Sequence, residues 1–178
     1  MRRIVILGNA GSGKSTFARA LGKRLEVSVV HLDCLFWEPG WVEPDAERFR
    51  NRVREAVASG TWVCEGNYAR RTFDLRLPRA DLVVWLDTPR LTCFLRVIRR
   101  SVTNRPRPDL AAGCKEKFDR AFLKFLWFVW TFDRSYRPGI EAVRLAIAVQ
   151  VPTVHLRGTR QIATFLDGLT PVEEGCRP

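Results

Sequence analysis

Strand-like and helix-like segments alternate along the 178 residues, and that alternation predicts an α/β fold built on a parallel sheet with helices on both faces. Three observations carry the prediction. A β-branched run at residues 3–7 passes directly into a glycine-rich turn and then into a helical pattern. The run Leu82-Val83-Val84-Trp85-Leu86 is apolar throughout, as a strand covered on both sides must be. Between such runs, apolar residues recur at the spacing of helices with one buried face. One domain spanning residues 1–178 is expected, because a chain of this length buries one sizeable core rather than two.

The first strand, 3–7, is followed by a helix over 14–25 with Phe17, Ala18, Leu21 and Leu25 on one face. Residues 29–32 form a second strand that ends at Asp33. Pro44 and Asp45 open a helix in which Phe49, Val53 and Val57 repeat at helical spacing, while Arg48, Arg50, Arg52 and Arg54 read as a solvated face. The third strand, 61–64, follows the Ser59-Gly60 turn, and 82–86 is the fourth. Pro89 suits the first turn of the next helix, whose expected core face is Leu91, Phe94, Leu95, Ile98 and Val102. A proline-broken basic loop at 103–108 ends it, and helices over 114–136 and 140–149 precede a fifth strand at 153–156 and a closing helix at 160–166. Phe122, Phe125, Trp127, Phe128 and Trp130 lie at helical spacing and read first as core, with a pocket or a dimer face as the alternatives.

Apolar residues make up 46% of the chain and charged residues 28%, the balance of a soluble globular protein. The longest apolar stretch, 121–132, is interrupted by Lys124 and is short of the ~20 residues a membrane span needs, so no membrane partner is expected. The first strand begins without a cleavable leader before it, and the five cysteines lie at no zinc or redox spacing. Free thiols and a cytoplasmic location are therefore expected. His31 and His155 read as ordinary strand residues. The net charge of +11 attracts anions, whether nucleotides, phosphorylated metabolites, nucleic acid or anionic lipid, and charge alone does not choose among them.

The first strand and helix meet in Gly8-Asn9-Ala10-Gly11-Ser12-Gly13-Lys14-Ser15, a full G-x-x-x-x-G-K-[ST] pattern, with Thr16 next in the helix. Glycines let the backbone fold back so that several N–H groups converge on a phosphate, and the positive end of the helix adds to that field. Lys14 is placed to bridge the β- and γ-phosphates, and the Ser15 hydroxyl to coordinate Mg²⁺. The pattern predicts a P-loop that binds ATP with Mg²⁺. Kinases, switches and motors share this loop, so the outcome depends on the other strand ends, where ligands of parallel sheets bind.

The segments Glu65-Gly66-Asn67-Tyr68-Ala69-Arg70-Arg71-Thr72, Arg96-Val97-Ile98-Arg99-Arg100 and Gly158-Thr159-Arg160 follow in that order. With the P-loop they resemble the adenylate-kinase-like branch of P-loop kinases along nearly the whole chain. The runs His31-Leu32-Asp33 through Phe36-Trp37, Pro39-Gly40-Trp41 and Gly66-Asn67-Tyr68 are similar to the small bacterial topology modulation proteins, a name that describes a phenotype and not a chemistry. The resemblance implies the three-layer P-loop NTPase fold, with a five-stranded sheet in the order 2-3-1-4-5. It implies Arg96 against the adenine, Arg100 on the transferred phosphate, Gly158 and Thr159 at the adenine edge, and Arg70 on an anionic group of the acceptor. Glu65 would bind a Mg²⁺-ligated water, where the family more often carries aspartate. The large adenylate-kinase lid is missing, and the basic loop Asn104-Arg105-Pro106-Arg107-Pro108-Asp109, within 101–118, is its expected substitute.

The combined reading is transfer of the γ-phosphoryl group of ATP to a small acceptor, with Lys14, Asp33 and Arg100 as the catalytic set. Asp33, Trp37, Trp41 and Arg70 face the acceptor. Asp33 serves as a base or in the metal shell, and the acceptor is a hydroxyl if it is a base. Trp37 and Trp41 clamp a flat or apolar acceptor or else cap an edge of the core. The alternatives from other classes are a nucleic-acid-associated ATPase affecting DNA topology and a nucleotide-binding protein without turnover. Arginines spread along the chain, with no DNA-reading motif, favour the kinase. A monomer and a homodimer both fit.

Overall fold

The structure, a computed structural model, describes residues 2–103, 109–110, 113–114 and 118–169. Its centre is a five-stranded sheet, β1 (Arg3–Gly8), β2 (Val29–His31), β3 (Trp62–Glu65), β4 (Leu82–Leu86) and β5 (Thr153–Leu156), all parallel, in the expected order β2-β3-β1-β4-β5. Every residue of β3 and β4 is buried, in keeping with their continuous apolar runs. Register brings the carboxyl ends to one edge: Ile6 and His31 both stand opposite Glu65, and Gly8 stands opposite Leu86.

The helices are α1 (Lys14–Leu25), α2 (Leu32–Phe36), α3 (Ala46–Ala56), α4 (Ala69–Arg76), α5 (Arg90–Thr103), α6 (Arg120–Ser135), α7 (Arg137–Ala148) and α8 (Gly158–Asp167). One face of the sheet, with Ile4, Ile6, Val63, Val84 and Leu86, packs on Phe17 and Leu21 of α1 and on α8, where Phe165 meets Phe17 at 5.9 Å. The opposite face, with Val5, Leu7, Cys64, Val83 and Trp85, packs on Phe49, Val53, Phe73 and Phe132. Each such aromatic burial contributes roughly 2–3 kcal/mol. Asp45 caps α3 by accepting from the N–H groups of Glu47 and Arg48 at 2.9 and 3.2 Å, and Asp119 caps α6 through Phe122 N–H at 3.0 Å. Asp81, just before β4, accepts from the backbone of Arg2 and Arg3 and pairs with the Arg3 guanidinium at 2.7 Å, which ties the starts of β1 and β4. No helix among the described residues is long and apolar enough to cross a membrane.

The structure departs from the sequence reading in four places. The second strand, expected over 29–32 and ending at Asp33, stops at His31, and Asp33 lies in the first turn of α2. Helix α4 was not expected, because Ala69-Arg70-Arg71-Thr72-Phe73-Asp74-Leu75-Arg76 has one strong apolar anchor, Phe73, and no side-chain cap. In α5 the buried row is Cys93, Val97 and Ser101, while Leu91, Leu95 and Val102 of the expected core face are exposed. The supposed solvated arginines of α3 are largely paired: Arg50 with Asp74 at 2.7 Å, and Arg48 and Arg52 with Glu38 at 3.1 and 3.2 Å. Of the aromatic cluster, Phe122 is buried, Phe125 and Phe128 are half-buried, and Trp127 is 67% exposed. The arginines of the expected basic lid, Arg105 and Arg107, lie outside the described residues, as does Cys176; the four described cysteines are free.

Candidate active site

The glycine-rich loop curls between β1 and α1, so the amino end of α1 points into it. Gly8 and Gly11 have φ of +144° and +77°. A Cβ on Gly11 would fall on the Cys93 carbonyl of α5, and one on Gly8 would stand 2.8 Å from the Leu86 carbonyl of β4. Both positions thus require glycine for space as well as for conformation. Buried Asn9 donates through Nδ2 to the Val129 carbonyl at 2.8 Å, and Thr88 Oγ1 donates to the Ser12 carbonyl at 3.0 Å. Ala10 packs against the α5–α6 seam. Lys14 Nζ lies across the loop, donating to the Asn9 carbonyl at 2.9 Å, while Thr16 is exposed on α1.

Beside the loop, the hydroxyl of Ser15 stands 2.9 Å from Glu65 Oε1 and 2.9 Å from Asp109 Oδ2. One hydroxyl proton can serve only one of these carboxylates at a time. Glu65 is the last residue of β3 and is 3% exposed, and Oε1 also meets His31 Nδ1 at 2.8 Å. Burial pushes the Glu65 carboxyl up, but the His31 hydrogen bond, the Lys14 charge and the Ser15 hydroxyl outweigh it and hold it below the usual glutamate range. His31 is therefore part of the site, not an ordinary strand residue, because the β2–β3 register aims it at Glu65. Asp109 was likewise missed, since it was read only as the end of a basic loop. Ser15, Glu65 and Asp109 make an all-oxygen donor set, which suits Mg²⁺. Among the described residues no group of three or more His, Cys, Asp and Glu forms a metal cluster, so such an ion would need ligands from a phosphate or water as well.

One strand further along, Tyr68 Oη donates to Asp33 Oδ1 at 2.7 Å. Burial, and then the negative charge of Asp33, push the Tyr68 phenol far above its ordinary value, so it stays a donor. Tyr68 has φ +35°, an uncommon conformation for a bulky residue, held here by packing on Phe36 and Phe49 at 4.8 and 5.1 Å. Trp37 packs edge-on against both Phe36 and Trp41, at 4.8 and 5.2 Å, which supports the core-edge alternative for this pair. The roughly 430 Å³ cavity behind them is lined by Cys34, Leu35, Trp37, Glu38, Pro39, Arg48 and Arg52, and neither Asp33 nor Trp41 borders it. Arg70 is exposed at the start of α4 and makes no hydrogen bond or ion pair among the described residues.

Two further residues shape the site in roles that were not read from the sequence. The fully buried Arg76 donates to the carbonyls of Gly66, at 2.6 Å, and Asn67. The Asn67 side chain grips Gly8 at both backbone groups, accepting from its N–H at 3.2 Å and donating to its carbonyl at 3.0 Å. These contacts join positions far apart in the chain, which no local pattern reveals.

On the other side of the loop, Arg96 of α5 reaches the Gly11 and Ser12 carbonyls at 3.5 Å. Arg100 lies one turn further along α5 and is half-buried. Gly158, with φ +75°, and Thr159 open α8 just past β5 and are exposed, sharing no hydrogen bond with Arg96. Near them His155 is also more than an ordinary strand residue: it and Arg137 hold Asp87 at 3.0 and 2.7 Å.

The sheet order, the P-loop at its centre and the acidic side chains at its carboxyl edge define a P-loop kinase fold. Solved structures agree. The chain aligns with a shikimate kinase from Acinetobacter baumannii (TM-score 0.56, 18% identity, 92% of this chain and 88% of that one). It also aligns with a shikimate kinase from Bacteroides thetaiotaomicron (0.53, 22%, 93% and 94%) and with a gluconokinase from Sinorhizobium meliloti (0.52, 19%, 93% and 87%). No protein-family model and no curated protein matches the sequence.

Proposed function

We propose that the protein is a kinase that transfers the γ-phosphoryl group of ATP to a hydroxyl of a small molecule. The observation that carries this reading is the hydrogen bond of Ser15 to Glu65 within the charge of Lys14, while Asp33 waits one strand away on a tyrosine hydrogen bond. The loop amides and Lys14 hold the phosphates, and Arg96 and Arg100 approach from α5. Ser15, Glu65 and Asp109 would hold Mg²⁺, whose charge, when bound, neutralises phosphate oxygens. Asp33 accepts the hydroxyl proton, Tyr68 fixes its carboxylate, and Arg70 meets an anionic group on the acceptor. The adenine lies between Arg96 and the Gly158-Thr159 turn. A hydroxyl acceptor is favoured because Asp33 is already oriented by a donor, and the neighbouring kinases are named for small hydroxylated molecules.

The test is a screen of sugar, polyol, hydroxy-acid, nucleoside and nucleotide acceptors for ATP-dependent phosphorylation, with Lys14→Ala as control. Transfer to a hydroxyl compound that disappears in the control supports the reading. Transfer only to nucleoside monophosphates would remove Asp33 as base, and failure of ATP with Mg²⁺ to bind would end the kinase reading altogether.

A further inference from the structure

Helices α5 and α6 pack on each other through Cys93, Val97, Phe122 and Val129, and Phe94 meets Trp130 edge-on at 5.6 Å. Each helix also carries an apolar row that this seam does not bury. Leu91, Leu95 and Val102 stand exposed on α5, and Leu123, Trp127 and Trp130 on α6, with Leu123 and Trp127 at 65% and 67% exposure. The spacings 91, 95, 102 and 123, 127, 130 each keep to one helix face. An apolar surface of this kind on a folded domain calls for a partner.

Charge selects the partner. The two helices hold Arg90, Arg96, Arg99, Arg100, Arg120, Lys124 and Arg134 against a single acidic residue, Asp133. Arg96 reaches the P-loop carbonyls, Arg120 and Arg134 stand three and seven positions from Leu123 and Trp127 on the same helix, and the Arg90 guanidinium lies over the Trp130 ring at 4.7 Å. Two copies meeting face to face would bring like charges together, which disfavours self-association. A partner helix would need a groove to lie in, whereas Leu123, Trp127 and Trp130 line neither the cavity by Trp37 and Arg52 nor the one by Asp87 and Arg137. Leucine and tryptophan rows bordered by arginine and lysine are the composition of a surface that settles into the headgroup region of an anionic bilayer.

We propose that the outer face of the packed α5 and α6 helices docks on an anionic membrane surface, inserting Leu123, Trp127 and Trp130 while the flanking arginines meet the headgroups. The expectation of no membrane partner is thereby narrowed to no membrane span. Because Arg96 reaches the P-loop from α5, a docked chain keeps its nucleotide site beside the bilayer.

The experiment is co-sedimentation of the full chain with vesicles of phosphatidylcholine alone and with one-quarter phosphatidylserine, at low and high salt. It is paired with Leu123→Ser/Trp127→Ser, a change that leaves net charge unaltered on two exposed positions. The expected result is binding to the anionic vesicles at least tenfold stronger than to neutral ones. It should weaken with salt, fall at least tenfold in the double variant, and bring a blue shift of tryptophan emission in the wild type. Undiminished binding by the variant would show that charge alone draws the chain to lipid and would overturn the docking face. So would absence of binding, or a dimer in sedimentation velocity that the variant dissolves. ATP binding measured in parallel reports on the P-loop separately, so failure of one reading does not imply failure of the other.

Discussion

The two flanks of β1 are built by different means. Towards β4 and α5 the site is mostly backbone: glycine turns, carbonyls accepting from Thr88 and Arg96, and the end of α1. Towards β3 and β2 it is mostly side chains in mutual contact: Ser15 with Glu65, Glu65 with His31, Tyr68 with Asp33, Asn67 with Gly8. A backbone cradle suits a ligand whose phosphates are always the same. A side-chain network suits one whose shape must be distinguished, because each member can change without disturbing the fold.

If that division holds, substitutions on the two flanks will fail differently. The largest effect is expected from Lys14→Ala, which should lower phosphoryl transfer about a thousandfold for every acceptor tested, read as initial rates at saturating ATP. Asp33→Asn should cost about a hundredfold or more in kcat with a hydroxyl acceptor while nucleotide affinity, measured by calorimetry, stays unchanged. Tyr68→Phe should cost about tenfold, since it frees the carboxylate without removing it. Equal losses in these last two would sink the distinction between a base and the residue that positions it.

Arg76→Met tests the network through stability instead. One buried and one partly buried carbonyl lose their donor, and a loss of about 3 kcal/mol in urea unfolding is expected. The smallest effect is at the far end of the sheet. Burial pushes the Asp81 carboxyl up, but hydrogen bonds from the Arg2 and Arg3 backbone and from the Arg3 side chain hold it down at about 2. A depressed carboxylate stabilises the fold above its unfolded value near 4 and stops doing so as pH falls through about 2. Asp81→Asn should therefore cost about 1 kcal/mol at pH 7, discounted for its partial exposure, and progressively less as acid is added.

How much of this was legible beforehand follows the same division. The P-loop could be read because glycine, lysine and serine at fixed spacing answer to local backbone requirements, while the strand order was implied by the family resemblance and is met by the sheet. Glu65 and Asp33 were singled out because strands were expected to end beside them, although the second strand stops at His31 and Asp33 lies in α2. His31, Asn67, Arg76 and Asp109 were not assigned roles, because their partners at the site lie between 9 and 94 positions away and only the folded register joins them. The exposed face of α5 was misjudged for a related reason: leucine and valine at helical spacing mark an apolar face, and say nothing of whether it turns inward.

The grip of Arg76 on Gly66 and Asn67, and of Asn67 on Gly8, forms a crossbar perpendicular to the strands. Under the proposed function, it would fix the interval between the place for the donor and the place for the acceptor before either arrives. Any segment that later covers the pair is spared the task of drawing them together and has only to keep water out.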